Sequence, residues 1–170
     1  MSRTILILDE HEMTSSVDTN DRDSYYFRRA VRAVLSDKNG QIALMYAKQR
    51  DYYKLPGGGV DEGEDLEAAL SRELLEETGS RATITEELGE VVEWRDFDQM
   101  NQVSFAYKAI LVGEPDKPDF TQSEIDEGFE VRWVVNLDEA IKLVEATTAH
   151  DDMEVTFMSK RDAAILRASR

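Results

Sequence analysis

Glu73, Glu76 and Glu77 lie within five residues of one another. Their i, i+3, i+4 spacing brings three carboxylates within reach of one point if the segment is helical. Like charges held so close raise one another's pKa unless a cation sits among them. Hard carboxylate oxygens suit Mg²⁺ or Mn²⁺, whereas zinc would be expected to draw on His or Cys. The chain has no cysteine, and its two histidines, His11 and His150, are far from these acids in sequence. The chemistry indicated is that of an oxygen-ligated divalent cation.

The element that must position these acids reads as a helix from about Asp65 to Thr78, stopped by Gly79. At 100° per residue Leu66, Ala69, Leu70 and Leu74 form one apolar stripe. Glu73 and Glu77 fall inside that stripe, Glu76 lies on its flank, and Glu67 and Ser71 point away. An acidic helix is ordinarily a solvated face. Here two carboxylates point with the leucines, and burying a carboxylate without a partner costs several kcal/mol. Arg72, one turn before Glu76, either holds that carboxylate in place or forms an ordinary surface ion pair. Gly57, Gly58 and Gly59 precede the helix and let the backbone pass close to a ligand, or simply make a tight turn. No Lys-Ser/Thr follows them, so this is not a Walker A loop, and Asp61 to Asp65 has the wrong offsets for an EF-hand.

Around this centre, Thr4–Leu8, Ala30–Leu35, Ile42–Tyr46, Glu87–Trp94, Val103–Val112 and Phe129–Val135 read as strands. Asp37-Lys38-Asn39-Gly40 is a hairpin signal. Asp9–Ser24 reads as a loop, as does the stretch around Pro115 and Pro118. Helices are expected from Asn136 or Asp138 to about Ala146 and from about Lys160 to Ala168. Strands mixed with three helices imply an α/β fold with helices on both sides of a mixed sheet. A chain of 170 residues fits a single domain. We divide it into an N-terminal extension with one short strand (1–24), a core (25–148) and a C-terminal helix (149–170).

Acidic residues number 36 against 20 basic ones, a formal charge of −16. Such a surface repels phosphate backbones, which argues against long nucleic acids. A small anionic substrate needs a bridging cation for the same reason. No apolar run has the length of a membrane span or a signal peptide, so no membrane partner is expected and the cytoplasm is the expected compartment.

Gly58, Glu64 and the run Arg72-Glu73-Leu74-Leu75-Glu76-Glu77-Thr78-Gly79 together resemble the Nudix box of the MutT-like hydrolases. Leu55-Pro56-Gly57-Gly58-Gly59, the Arg29-Ala30-Val31 strand and Trp133-Val134 leading to Asp138-Glu139-Ala140 are similar to the family too, so the resemblance runs from Arg28 to Ala146. One position departs: Ser80 stands where an aliphatic residue usually closes the box, and it should pack without ligating. The resemblance implies a Nudix-type α/β/α sandwich and hydrolysis of a diphosphate in a nucleoside diphosphate linked to another moiety. It implies Mg²⁺, with Mn²⁺ as the alternative, held by Glu73, Glu76, Glu77 and the Gly58 carbonyl, with Glu64 a further candidate. Arg72 would orient the glutamates, and water would attack phosphorus. For the general base the candidates are Glu76, Glu77, Glu124 and Glu127, with Glu124 preferred because Glu124-Ile125 best resembles the family's acid-plus-aliphatic pair. Glu124 and Glu127 read as lying in a loop, and an acidic surface loop is the plainer reading of both.

Substrate markers are sparse. Asp96 stands where ADP-ribose hydrolases of the family often carry proline, and the tyrosine of dinucleoside polyphosphate hydrolases is missing at Phe97-Asp98. Arg28 and Arg32 are the expected substrate-binding residues, with Arg29 beside them. Tyr46, Tyr52, Tyr53, Phe105 and Tyr107 are either base-stacking residues or core. The alternative function is a non-catalytic Nudix-like nucleotide-binding module, which would be expected to lack one or more box glutamates. The isomerase branch of the superfamily needs a cysteine that is absent. A homodimer stays open.

Overall fold

The computed structural model describes residues 2–15, 21–146 and 151–170. The Asn39-Gly40 signal does turn the chain. Gly40 takes φ 80°, and the Asp37 carboxylate accepts the N–H groups of Asn39 at 2.9 Å and Gln41 at 2.8 Å. The strands it joins, β2 (Tyr26–Ser36) and β3 (Ile42–Ala47), then diverge, with Ser36 and Ile42 as their one register pair. Two other segments satisfy the backbone of β2. On one side it runs parallel to β6 (Met100–Val112), from Tyr26 opposite Met100 to Ser36 opposite Ile110. On the other side the proline–glycine segment lies along it. Val31 N–H donates to Gly58 O at 2.9 Å, Ala33 N–H to Pro56 O at 3.0 Å, and Val60 N–H to Arg29 O at 3.0 Å. The glycines are thus seated against a central strand.

The remaining strands are β1 (Thr4–Asp9), β4 (Tyr52–Lys54), β5 (Arg81–Arg95) and β7 (Phe129–Val134). The sheet order is β1-β5-β6-β2-β3-β4, with β7 also paired to β3. The β1–β5 and β2–β6 pairs are parallel and the others antiparallel. Helix α2 (Leu66–Thr78) covers one face, packing Ala69, Leu70 and Leu74 on Val31, Ala33 and Leu35. Helices α4 (Leu137–Glu145) and α5 (Met153–Ala168) cover the other, with Ile141, Val144, Phe157 and Ile165 against Val34, Leu44 and Ala106. This is the expected α/β/α sandwich on a mixed sheet. Because side chains alternate along a strand, Arg28 and Arg32 share the Val34 face, the one that α5 covers.

Several boundaries differ from expectation. Asp9–Ser24 is no simple loop: it contains α1 (Glu10–Thr14), capped by Asp9, and a 3₁₀ turn at Arg22–Ser24. Arg22 bridges Asp9 at 2.7 Å and Asp96 at 3.1 Å, which ties this segment to the end of β5. Residues 16–20 of that stretch, and His150, lie outside the described residues. Glu124 sits in a short helix, α3 (Gln122–Asp126), and Glu127 caps its C-terminus. The helices therefore number five among the described residues, not three. Among those residues no helix is long and apolar enough to cross a membrane.

Candidate active site

Asp65 starts α2 by accepting the N–H groups of Glu67 at 3.1 Å and Ala68 at 3.3 Å, and Gly79 ends it at φ 66°. The apolar stripe then fixes the rotation of the helix. Leu70 and Leu74 are fully buried, each contributing about 1.5–3 kcal/mol. That is enough to offset the several kcal/mol of bringing one carboxylate inside. The side chain of Glu77 is 5% exposed and that of Glu73 12%, while Glu76 on the flank is 47% exposed. Glu67 and Ser71 face solvent.

Glu77 accepts from Lys54 Nζ at 2.9 Å and from Gly57 N–H at 2.7 Å. Burial pushes its carboxyl above the ordinary range; Lys54 and the Gly57 N–H pull the other way, and the charge on Glu73 adds to the rise. Two glycines permit this arrangement. Gly57 has φ 134°, and a Cβ there would lie 2.1 Å from Val31 O. At Gly58 a Cβ would lie 2.4 Å from the Glu73 carboxylate, so any other residue would evict that side chain.

Arg72 gathers the rest. It grips Glu64 through two bonds of 2.9 Å, reaches Glu73 at 2.8 Å and Glu76 at 3.3 Å, and donates to Gly59 O at 3.0 Å. Arg72 holds the Glu64 carboxyl down at about 2, helped by the Asp61 N–H. A carboxylate depressed in the folded state stabilises it above the unfolded pKa, about 4.3, and that stability is lost as pH falls through the folded value. Glu64→Gln should therefore be less stable than wild type in urea at pH 7, with the gap closing as pH falls from about 4 towards about 2. An equal gap at every pH would show that the charge on Glu64 contributes nothing.

Glu73, Glu76, Glu77, Arg72 and Glu124 border one cavity of about 510 Å³. Glu124 reaches it from α3, where a capping box holds it: Thr121 N–H and Oγ1 both donate to Oε2 at 2.8 Å, so Oε1 is not engaged by the cap. Glu127 does not line the cavity. It turns to Tyr52 and Arg50, at 3.5 and 3.8 Å.

A second, smaller cavity of about 270 Å³ adjoins this one, again bordered by Glu73, Glu77 and Glu124. Arg28 and Arg32 line it. Arg28 donates to Gln102, and Arg32 donates to Val31 O at 2.7 Å and Gly58 O at 3.4 Å. Three cations not anticipated from sequence line it too: Lys54, Arg95 and Arg161. Of the tyrosines, Tyr52 and Tyr107 are buried, and Tyr46 stacks on Tyr53 at 4.6 Å beneath Arg132. Ser80 is buried, its Oγ directed to Thr78 O.

The groups on the α2 face that can ligate a cation, the carboxylates of Glu73, Glu76 and Glu77, all offer oxygen, and the glycine cradle leaves room for the Glu73 carboxylate, so the residues fit a hard divalent cation. Among the described residues no three acids form a finished cage. Glu73 leans on Arg72 and Glu77 on Lys54, and these pairs must loosen for a cation to enter.

The NUDIX domain model matches residues 26–156. An RNA pyrophosphohydrolase of Caulobacter vibrioides is 39% identical over 108 residues, covering 54% of this chain and 60% of that one. One of Francisella tularensis is 30% identical over 95 residues, covering 56% and 61%. The chain thus spans about three fifths of these curated relatives. Among solved structures, a NUDIX hydrolase from Nitrosomonas europaea superposes with a TM-score of 0.58 at 20% identity, covering 81% of this chain and 92% of that one. A MutT NUDIX hydrolase from Burkholderia pseudomallei gives 0.55 at 23%, covering 80% and 98%. These likenesses are of fold.

Proposed function

The chain belongs to the Nudix domain family, and from that premise we propose that it is a divalent-metal-dependent pyrophosphohydrolase acting on a small anionic nucleotide. The observation that carries this reading is Glu77, a buried carboxylate beside Glu73 at a glycine cradle, facing a cavity. When bound, Mg²⁺ or Mn²⁺ would neutralise the diphosphate and make water a better nucleophile. Glu73, Glu76 and Glu77 would hold it, with the Gly58 carbonyl behind them and Arg72 keeping Glu73 and Glu76 in place. Arg28 and Arg32 would bind the phosphates of the substrate. Water's oxygen bonds to one phosphorus, the bond from that phosphorus to the bridging oxygen breaks, and the bridging oxygen leaves with the electron pair on the departing phosphate. A carboxylate takes the proton from the water. Glu124 is our first choice, because its Oε1 is not used by the helix cap and it borders the same cavity as the box glutamates.

The test is product release from nucleoside triphosphates, ADP-ribose, sugar nucleotides and dinucleoside polyphosphates with Mg²⁺. The relatives named as RNA pyrophosphohydrolases bring a 5′-phosphorylated RNA into that panel. The charge of −16 opposes a long RNA, so it should turn over more slowly than a mononucleotide. Ligand binding with no turnover of any member would return the chain to the non-catalytic module.

Glu124→Gln separates the roles of that residue. Gln also completes a capping box at the third helical position, so stability should not change. As the base, it should lose kcat by at least about a hundredfold with KM kept, and the acidic limb of the pH–rate profile should flatten. Recovery at high Mg²⁺ would make Glu124 a ligand instead, and wild-type rates would move the base to Glu76.

A further inference from the structure

We propose that the smaller cavity is a seat for a terminal phosphate, so that the preferred substrates are those whose phosphate chain ends in a free phosphate. The inference deepens the hydrolase reading and rests on it for the identity of the substrate, but not for the existence of the seat.

Four guanidiniums meet at this cavity in a chain that is otherwise strongly acidic: Arg28 and Arg32 from β2, Arg95 from β5 and Arg161 from α5. Arg32, Arg95 and Arg161 are 6%, 5% and 1% exposed. Two buried carboxylates oppose them. Glu93 takes Arg95 at 2.7 Å and lies 3.7 Å from Arg161, and Asp162 takes Arg161 at 2.6 Å. Asp98 comes only within 3.7 Å of Arg95 and is itself exposed. The other acids at the cavity are engaged elsewhere, Glu77 with Lys54, Glu73 with Arg72, Glu154 with Arg50 and Glu124 with its helix cap, and Arg28 and Arg32 have only neutral acceptors. Crowding accompanies the burial that pulls the guanidiniums of Arg28 and Arg32 down, with Arg161 acting on both.

Hydrogen bonding is incomplete as well. Arg32 Nε, Arg95 Nε and Arg161 Nη2 are buried N–H groups without an acceptor. Unmatched buried donors are rare and costly. A terminal phosphate carries close to two negative charges and three strong acceptor oxygens, which suit two guanidiniums without an ion-pair partner and three N–H groups without an acceptor. An internal phosphate carries one charge and offers fewer free oxygens. The seat is also in the right place, since Glu73 and Glu77 border the same cavity. Arg161 lies beyond the residues matched by the family model, whereas Arg28, Arg32 and Arg95 lie within them.

Titration of the whole protein in EDTA with inorganic phosphate and with tripolyphosphate, followed by calorimetry, tests the seat without turnover. Wild type should bind both, and Arg161→Lys and Arg28→Gln should weaken binding tenfold or more. Arg28 is the less buried of the two, so it serves if the Arg161 variant fails to fold. With Mg²⁺, the ratio of kcat/KM for a nucleoside triphosphate over ADP-ribose, which has no terminal phosphate, should fall at least tenfold in the folded variants. No phosphate binding by wild type, or an equal loss on both substrates, would overturn the seat and leave the guanidiniums as scaffold. Hydrolysis without phosphate binding removes the seat and keeps the enzyme; phosphate binding without hydrolysis of any nucleotide does the reverse.

Discussion

Glu77→Gln should lower kcat by at least about a hundredfold. The amide matches the carboxylate in shape, but it offers one acceptor where two are used. Lys54 Nζ and Gly57 N–H both donate to Glu77, at 2.9 and 2.7 Å. The amide NH₂ must then face one of those donors. Either Lys54 loses its partner or the Gly57 N–H does, and the glycine segment shifts against β2. The variant also removes one negative charge from the set that would hold the cation, so metal affinity and transition-state stabilisation fall together. The paired control is Glu67→Gln, an exposed position on the opposite face of α2. It should leave turnover within about twofold of wild type, as surface substitutions generally do. Circular dichroism and thermal melts of both proteins would separate catalytic loss from unfolding. Equal turnover in the two variants would mean that the inward face of α2 has no part in the chemistry.

The contrast between those two glutamates was readable from the sequence because it depends only on helical periodicity. Leucines at 66, 70 and 74 define a face, and position 77 falls on it; Gly79 then ends the helix where a residue with positive φ is needed. The Asn39-Gly40 turn and the Asn136 cap are equally local. What was missed depends on pairing between distant segments. Strand β5 was expected to begin at Glu87 and begins at Arg81, because register shifts between Ile84 and Glu86 and between Glu87 and Gly89 break the alternation. Helix α5 was expected from Lys160 and starts at Met153, because Val155, Thr156 and Phe157 are residue types that favour strands. Here Asp152 caps the helix, and Val155, Phe157 and Met158 are buried.

Those two misjudged elements carry Arg95 and Arg161, which is why the arginine-lined cavity could not be foreseen. The residues are 66 positions apart and meet only because α5 lies across β5. Asp162 fastens that helix to the site by accepting the Leu55 N–H at 2.8 Å, just before the glycine segment. Lys54 is nearer in sequence, yet its pairing with Glu77 joins two elements, β4 and α2, whose approach no local pattern encodes. Glu124 is preferred to Glu127 from sequence only on its resemblance to an acid-plus-aliphatic pair, since both precede the same strand. The short helix α3 separates them, turning one to the cavity and the other to Arg50.

Removing divalent cations should have the largest effect of all, a complete loss of turnover. Without a cation Glu73 and Glu77 are held by Arg72 and Lys54, and two buried or half-buried carboxylates face a substrate of the same sign. A bound cation would reverse that repulsion and would stabilise the folded protein, because it binds only where the helix presents its acids together. Millimolar Mg²⁺ should therefore raise the melting temperature of wild type and not that of Glu77→Gln. The most direct measurement is phosphate or pyrophosphate release from a nucleoside triphosphate, followed in one sample through addition of EDTA and then of excess Mg²⁺ or Mn²⁺. Turnover should stop on chelation and return with the metal in wild type, and should return only weakly in Glu77→Gln. Undiminished release in the presence of EDTA would contradict a cation held by Glu73, Glu76 and Glu77.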